Sequence, residues 1–324
     1  MNAVSPAAPL DLRVAAVSAE ARDVMMLELA AADGGRLPPL DPGGHVELVL
    51  PNGLVRHYSL VNDGRDADRY LLAVGLAAES RGGSAYIHGS LRSGDRLTAT
   101  GLRNNFPLDE AAAAYRFIAG GIGITPIMPM IRWCRRNGRP WRLAYAARSR
   151  QRAAFYEDLS ALGAEGRTDF HFDDEAGRTL DLGAALDGLA AGEQVYCCGP
   201  AGLMAAVAAA TAGLPDGRVH FEWFTAAGSA SPPAGATAFT VELRRSGRLL
   251  PVPADRSILE VLEANGIAVP YGCREGLCRT CETPVCAGEV EHRDHVLSAA
   301  ERQAGSTMML CVSRARGERL VLDL

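Results

Sequence analysis

The sequence predicts a multi-domain protein, with a β-barrel over residues 1–110, an α/β domain over residues 111–225 and an α+β domain over residues 237–324. Its 324 residues exceed the length of a usual single domain, which is about 100–200 residues. Three observations support the division. Short runs in which apolar and polar residues alternate fill the first region, and predicted strands alternate with predicted helices in the second. Residues 226–236 contain only Ala, Gly, Ser and Pro. We interpret residues 226–236 as a linker.

The first region has the pattern of an all-β domain. Apolar and polar residues alternate in short runs such as His45–Leu50 and Tyr70–Val74. The turn sequences PGG, PNG, NDG and RSGD separate these runs. This spacing favours a small closed barrel.

The second region repeats strand, turn and helix. The strand-like run RFIAG meets a glycine-rich turn and the helix-like run PIMPMIRWCRR, and the strand-like run WRLAYAA follows. Later, QVYCC precedes the turn GPAG and another helix-like run. This order is typical of a parallel sheet covered by helices.

The third region begins with two short strands, FTVELRRSGRLLPV, around a turn. A helix follows, with Ser257 as its expected N-cap and Glu260 three residues later, which is a capping box. A loop rich in cysteine comes next.

The composition excludes several classes of protein. All 33 basic residues are Arg, so neither a Schiff-base lysine nor a P-loop lysine is possible. A net charge of −5 without a basic run argues against nucleic acid as a partner. No apolar stretch is long enough to span a membrane, and the N-terminus lacks the pattern of a signal peptide. We therefore expect a cytoplasmic protein whose thiols stay reduced.

Five of the eight cysteines lie within 39 residues. The spacing Cys273-x4-Cys278-x2-Cys281, followed after 29 residues by Cys311, is that of plant-type [2Fe–2S] clusters. Zinc binding and buried free thiols are the alternatives. Cys286 is an alternative fourth ligand in place of Cys311, although we expect it to be a buried apolar residue.

Two motifs in the barrel region point to a bound phosphate and a flat ring. Arg56-x-Tyr58-Ser59 combines a forked donor, an aromatic ring and a hydroxyl. Arg81-Gly82-Gly83-Ser84 is a glycine-rich turn before a helix-like stretch, where backbone N–H groups can hold an anion. Taken alone, the first motif also suits an ordinary strand with a packed Tyr.

Two turns in the α/β region indicate a dinucleotide site. Gly120-Gly121-Ile122-Gly123 follows a strand and opens a helix, and Cys198-Gly199-Pro200 follows another strand. We expect both turns at the carboxyl edge of one sheet, where open α/β sheets bind ligands. Glycines there allow the backbone to approach a pyrophosphate.

The whole chain resembles the phthalate dioxygenase reductase family, which includes vanillate demethylase reductases. The run YGCREGLCRTCETPVC and the two nucleotide motifs carry the resemblance. It implies an FMN-binding barrel, a nicotinamide-binding α/β domain and a β-grasp, plant-type ferredoxin domain. The implied cofactors are FMN, a [2Fe–2S] cluster and NADH, and FAD stays open as an alternative flavin. The implied cluster ligands are Cys273, Cys278, Cys281 and Cys311.

The resemblance also assigns the flavin site. It implies that Arg56, Tyr58 and Ser59 hold the flavin and that the main chain of Ala73, Val74 and Gly75 meets the ring edge. His57 stands where the family often has Thr, and its role is open. The FMN phosphate is assigned to Arg81, Gly82, Gly83 and Ser84.

In the nicotinamide domain the resemblance places Cys198 near the nicotinamide and Thr125 near the flavin, as the two catalytic positions. Simple packing is the alternative for Cys198. Phe224 matches the aromatic residue that covers the flavin, with a core strand end as its alternative. Arg148 can meet a 2′-phosphate, so NADPH stays open, although NADH is favoured. The dinucleotide contacts are assigned to Gly120, Gly121, Gly123, Gly199 and Pro200.

Together these motifs imply an electron-transfer chain. NADH delivers two electrons to the flavin as hydride, and the cluster accepts electrons one at a time. The resemblance implies a separate Rieske-type oxygenase as the acceptor, acting on a small aromatic substrate, and we expect the reductase to be a monomer. The alternatives are a stand-alone flavin reductase or diaphorase, and a redox sensor.

Overall fold

The computed structural model describes residues 9–63, 68–78, 80–162, 167–225 and 235–324. Contacts divide the chain into two compact units, Met1–Phe224 and Thr225–Leu324. The predicted linker falls mainly on residues 226–234, which lie outside the described residues. Within the described part of the chain, no helix is both long and apolar enough to cross a bilayer.

The barrel consists of six strands and one helix. The strands are β1 (Leu10–Ala21), β2 (Val24–Ala31), β3 (His45–Val49), β4 (Val55–Ser59), β5 (Tyr70–Gly75) and β6 (Arg96–Arg103), and the helix is α1 (Gly83–Gly89). The order β4-β3-β6-β1-β2-β5 is antiparallel at every pairing. A bridge between Leu60 and Leu72 joins the two outer strands. The sheet therefore closes around its own apolar core.

The parallel sheet has the order β11-β10-β7-β8-β9. Its strands are β7 (Tyr115–Gly120), β8 (Trp141–Ala147), β9 (Arg167–Phe172), β10 (Gln194–Cys198) and β11 (Val219–Glu222). The helices are α2 (Ile127–Arg136), α3 (Tyr156–Ala161), α4 (Asp173–Ala176), α5 (Leu182–Leu186) and α6 (Ala201–Ala210), with 3₁₀ turns at Gly121–Ile124 and Arg150–Arg152. All four pairings are parallel.

The barrel and the parallel sheet form one unit because they share a core and ion pairs. Val61 and Ala73 of the barrel region belong to the same buried cluster as the central residues of the parallel sheet. Arg152 pairs with Asp23. The backbone N–H of Phe155 donates to Glu20 Oε1 at 2.8 Å.

The second unit is a mixed sheet with a helix packed on it. Its strands are β12 (Phe239–Leu243), β13 (Arg248–Val252), β14 (Glu282–Ala287), β15 (Val290–Glu291), β16 (Thr307–Met309), β17 (Arg314–Ala315) and β18 (Arg319–Leu322), and its helices are α7 (Ile258–Ala264) and α8 (Ala299–Ala304). The main sheet has the order β13-β12-β18-β14-β16, with β12 parallel to β18. The predicted capping box of Ser257 and Glu260 begins α7.

Candidate functional site

Arg56, on β4, lies against the glycine turn that begins α1. Its Nη2 donates to the carbonyl oxygen of Arg81 at 2.5 Å. A Cβ atom at Gly83 would come within 2.4 Å of Arg56 Nε. Gly82 has φ +86°, a conformation that favours glycine. The guanidinium and the turn thus meet across 25 residues of sequence, and they offer the charge and donors that a phosphate needs.

Serine hydroxyls support the same turn. The Ser84 hydroxyl donates to Ser80 Oγ at 3.0 Å. Ser84 Oγ accepts from the N–H of Ala77 at 3.3 Å, and Ser80 Oγ accepts from the N–H of Ala85 at 3.2 Å. The predicted phosphate residues 81–84 and Arg56 therefore form one group.

Because side chains alternate along β4, His57 and Ser59 lie on the opposite face of the strand from Arg56 and Tyr58. Tyr58 packs against the barrel core, and burial raises its pKa to about 12 against the opposing charge of Arg56. Ser59 is buried and hydrogen-bonds to the Glu222 carboxyl group. His57 Nε2 lies 3.4 Å from Glu47 Oε2. Arg56 and Ser59 therefore contact different partners.

A buried carboxyl group that the sequence analysis missed lies at the end of β11. Glu222 is the neighbour of Cys198 across the sheet, and its Oε1 lies 3.8 Å from His45 Nδ1. Burial raises the pKa of Glu222 to about 8, and the hydrogen bond to Ser59 opposes this shift. An acidic residue inside the aromatic run FEWF was the signal that could have revealed it.

The same buried region continues into the barrel. The rings of His45 and His57 are edge-on, with centroids 5.5 Å apart. The Thr100 hydroxyl donates to Glu47 Oε1 at 2.6 Å. His45 and Glu47 are only 5% and 7% exposed. These polar residues were also missed, because strand alternation alone does not distinguish them from solvent-facing positions.

The two predicted dinucleotide turns lie against each other. A Cβ atom at Gly123 would be 2.2 Å from the carbonyl oxygen of Cys198, and one at Gly199 would be 3.0 Å from Gly120 Cα. A Cβ atom at Gly120 would lie 2.6 Å from Cδ of the Pro200 ring. Glycine at these positions therefore allows the two turns to pack together at the carboxyl edge of the sheet, where open α/β sheets bind ligands.

The barrel meets these turns at the end of β5. A Cβ atom at Gly75 would lie 3.4 Å from the Ile122 side chain. The carbonyl oxygen of the adjacent residue, Val74, lies 2.8 Å from His88 Nε2. Ala73 is buried in the core that the barrel shares with the parallel sheet. The strand predicted to meet the flavin ring is therefore beside the predicted dinucleotide turn.

Thr125 and Cys198 are both buried near this junction. The Thr125 hydroxyl donates to the Ile122 carbonyl oxygen at 3.0 Å. Burial, and then the neighbouring Glu222, raise the pKa of Cys198 well above its usual value. Cys198 is thus a neutral thiol, suited to positioning a ligand rather than to nucleophilic attack.

Two predicted site residues lie at the surface. Phe224 is 37% exposed at the end of the first unit. Arg148 is exposed after β8, and its carbonyl oxygen accepts from the N–H of Asp174 at 3.2 Å. The exposed ring of Phe224 is available to cover a ligand, and Arg148 lies next to α4, which follows the edge strand β9.

The four predicted ligand cysteines converge. Cys281 Sγ and Cys311 Sγ are 3.3 Å apart, and Cys278 Sγ accepts from the N–H of Cys273 at 3.4 Å. This donor set fits a cluster that needs four thiolates.

The loop backbone is shaped around the sulfurs. Cys273 Sγ accepts from the N–H groups of Glu275 and Leu277, both at 3.3 Å. Gly276 has φ +70°, and a Cβ atom there would lie 2.7 Å from Val312 Cγ2. Arg274 and Arg279 have φ +61° and +60°, which are rare for residues other than glycine. N–H donors to sulfur are a feature of iron–sulfur sites.

The burial predicted for Cys286 is wrong. Its side chain is exposed on β14 and interacts with Arg244. Burial there would require an inward position, but the residue lies beside a strand irregularity between Val285 and Ala287, where the pairing of β14 with β18 shifts. The four converging thiols, which are buried or half-buried, do not include Cys286.

Comparisons with known families agree with this geometry. The model of the oxidoreductase NAD-binding domain matches residues 117–209. The model of the 2Fe–2S iron–sulfur cluster binding domain matches residues 241–316. The first match contains both glycine turns, and the second contains all four converging cysteines.

Full-length relatives extend the match to the barrel. The chain is 44% identical over 324 residues to phenoxybenzoate dioxygenase subunit beta from Ectopseudomonas oleovorans, with 100% of both chains covered. It is 39% identical to the solved structure of phthalate dioxygenase reductase, with a TM-score of 0.71 and 98% of both chains covered. An intact type IV self-sufficient cytochrome P450 monooxygenase matches at 39% identity and a TM-score of 0.90, over 98% of this chain and 41% of that longer one.

These findings confirm the multi-domain fold with barrel, parallel-sheet and ferredoxin domains. They also confirm the cofactor set of FMN, a [2Fe–2S] cluster and NADH, and the function as the reductase component of an oxygenase system. The chain belongs to the phthalate dioxygenase reductase family of NADH-dependent oxidoreductases that carry flavin and a [2Fe–2S] cluster.

Proposed function

We propose that this chain accepts hydride from NADH at the junction of barrel and parallel sheet and passes single electrons through its cluster to a separate Rieske-type oxygenase. The contact of Gly75 with Ile122 carries the proposal, because it brings the strand assigned to the flavin against the turn assigned to NADH. A flavin held at this junction would supply the conversion of a two-electron hydride into single electrons. Each NADH therefore supports two transfers at the cluster.

We assign flavin binding to the barrel side of this junction. Arg56 and the turn 81–84 hold the phosphate, because guanidinium and backbone N–H groups converge there. Tyr58 and Ser59 position the ring, with the main chain of residues 73–75 along its edge. The neutral phenol of Tyr58 adds an aromatic surface without charge.

We assign NADH binding to the sheet side. The glycines of the two turns admit the pyrophosphate, Cys198 and Thr125 position the nicotinamide against the flavin, and Phe224 covers the ring. Arg148 lies at the adenosine end. No side chain has to act as an acid or a base for the hydride step, because orientation of donor and acceptor suffices.

We assign the cluster to Cys273, Cys278, Cys281 and Cys311, within a ferredoxin domain of residues 237–324. The first two domains then span residues 1–110 and 111–225. A chain shortened to end at Thr225 should retain NADH-driven reduction of a dye and lose reduction of cytochrome c. A shortened chain that still supports an oxygenase at the full rate would remove the cluster from the electron path.

The electron acceptor of this reductase is a separate question from the cofactors that it binds. One relative is named as a dioxygenase subunit, and another matching chain is a P450 monooxygenase. We favour a Rieske-type oxygenase acting on a small aromatic substrate, since the chain matches the first relative over the full length of both. The test mixes the holoprotein with a purified Rieske oxygenase component and its aromatic substrate. Product formed in step with NADH use supports the proposal. Electron delivery only to a P450 haem domain, or only to free quinones, contradicts it.

We further propose that the reductase is monomeric and cytoplasmic. A transient electron donor gains from a small, freely diffusing form. Light scattering on the holoprotein at micromolar concentration should give the mass of one chain, 34.2 kDa, and a stable dimer would contradict the monomer.

A further inference from the structure

A cleft of about 550 Å³ runs along β9, the outer strand of the parallel sheet, and Arg150 and Glu175 line it beyond the carboxyl ends of β8 and β9. Three aromatic rings form one side of it: the ring centroids of Tyr156 and Phe170 are 4.8 Å apart, and those of Phe170 and Phe172 are 6.0 Å apart. Arg150 and Glu175 line the cleft as well. An aromatic wall beside charged groups is a surface on which a nucleobase and its ribose can bind.

The end of the cleft that holds Arg150 and Glu175 lies beyond the carboxyl ends of β8 and β9, where the adenosine half of NADH would bind, and this placement rests on the proposed function. Strand β8 separates β9 from β7, which leads into the glycine turn. Neighbouring strands are about 4.8 Å apart, so the cleft is on the order of 10 Å from that turn. This separation suits an adenosine whose pyrophosphate sits at Gly120–Gly123.

Within the cleft, Arg150 is held by Glu175. Its Nε and Nη2 donate to the two carboxylate oxygens of Glu175, at 3.3 and 3.2 Å. The guanidinium carbon also lies 4.8 Å from the Phe172 ring centroid and 5.0 Å from that of Tyr156. The side chains of Arg150 and Glu175 are 49% and 54% exposed. The bidentate face formed by Nε and Nη2 is thus occupied by a carboxylate, and Nη1 donates to the Tyr156 hydroxyl.

The other charged groups facing the cleft do not favour a second phosphate. Asp169 lines it and pairs with Arg167 at 3.0 Å. His171 lines it, and its Nε2 lies 3.4 Å from Asp173. Carboxylates repel a 2′-phosphate, whereas the 2′-hydroxyl of NADH can donate to one.

We propose that Glu175 determines the selectivity for NADH over NADPH by occupying the guanidinium of Arg150 and by offering a carboxylate to the ribose 2′-hydroxyl. Arg150 would therefore bind a 2′-phosphate if the Glu175 carboxylate did not occupy its guanidinium. Selectivity of this kind comes from a repulsive group as much as from an attractive one.

The test uses the full-length holoprotein and two probes, 2′,5′-ADP and 5′-AMP, in titration calorimetry. Glu175→Gln removes the charge and keeps the shape, so Arg150 becomes available. A charge-assisted hydrogen bond is worth about 10–100-fold in affinity. We expect 2′,5′-ADP to bind about tenfold or more tightly in Glu175→Gln, with 5′-AMP changed by less than about threefold. The ratio of kcat/KM for NADPH to that for NADH should rise in parallel.

Two controls make the test specific. Asp169→Asn removes a cleft carboxylate that pairs with Arg167 instead, and it should shift the 2′,5′-ADP affinity by less than about threefold. The double variant Glu175→Gln/Arg150→Gln should lose the gain. An unchanged 2′,5′-ADP affinity in Glu175→Gln, or a gain that survives in the double variant, overturns the inference. Failure of the wild-type protein to reduce a dye with NADH would instead overturn the proposed function.

Discussion

The nucleotide-binding unit and the ferredoxin unit build their sites in different ways. In the first, Arg56, Gly75, Gly123 and Cys198 come from four separate strand ends or turns. In the second, three of the four cysteines that we propose as ligands lie within nine consecutive residues, 273–281, and the fourth, Cys311, is 30 residues further along the chain. A site built from one loop depends on its side chains, whereas a site built from many turns depends on how closely backbones can approach.

The largest effect should come from removing a cluster ligand. Cys278→Ser or Cys311→Ser should abolish normal cluster assembly, because each iron needs two thiolates, while flavin content and NADH-driven dye reduction persist. The measurements are the visible spectrum and the content of iron and acid-labile sulfide. Cys286→Ser is the matched control, and its spectrum should be unchanged. A normal spectrum in Cys311→Ser together with a lost one in Cys286→Ser would reverse the ligand assignment.

In the first unit, the corresponding change replaces a turn glycine with alanine, which adds a methyl group. Gly123→Ala places a Cβ atom 2.2 Å from the Cys198 carbonyl oxygen. We expect the free energy of unfolding to fall by about 1–3 kcal/mol and kcat/KM for NADH to fall as well. Gly202→Ala, in α6, meets no atom within 4 Å and should instead raise the free energy of unfolding by up to about 1 kcal/mol. Equal behaviour of the two variants in urea denaturation would remove the close approach as the cause.

Glu222 allows a test of the buried polar region by pH. In the folded chain its pKa is about 8, against an ordinary value of 4.5. Unfolding therefore releases a proton between these values, so the free energy of unfolding falls as the pH rises from 4.5 to 8. Glu222→Gln has no such proton, and at pH 8 we expect it to be more stable than the wild type by about 1–3 kcal/mol.

At pH 5 the difference between Glu222→Gln and the wild type should nearly vanish. Urea denaturation at both pH values measures it, and Glu110→Gln is a control because Glu110 is exposed. A stability gain of the same size at pH 5 and pH 8 would show that ionisation of Glu222 is not involved.

The smallest effect should be that of salt on docking through the ferredoxin unit. Residues 237–324 contain eleven Arg and twelve acidic residues. Near the cluster loop, Arg279 pairs with Glu301 at 2.8 Å and Arg274 with Glu263 at 2.6 Å. Because these charges are already neutralised within the unit, steering should be weak.

We expect the second-order rate of electron transfer to an oxygenase to fall by less than about tenfold between low and physiological ionic strength. Stopped-flow spectroscopy measures this rate, and Leu277→Ala should slow it about as much as Arg279→Gln. A steep loss with salt would reveal a strongly charged docking patch.

Much of the site could be predicted because its signals are local. The cysteine spacing, the glycine turns and the capping box of Ser257 and Glu260 each occupy a few neighbouring residues, whose chemistry does not depend on the rest of the chain. The absence of lysine likewise excluded whole mechanisms from composition alone.

Only the tertiary structure decided which polar groups share a buried environment. Glu222 comes within 3.8 Å of His45 across 177 residues of sequence, and Arg150 meets Glu175 across 25. Cys286 lies outward because the pairing of its strand shifts at that point, which no spacing rule specifies. Residue type determines what a side chain can do, but its pKa and its partners depend on burial and on neighbours that the fold brings from distant parts of the chain.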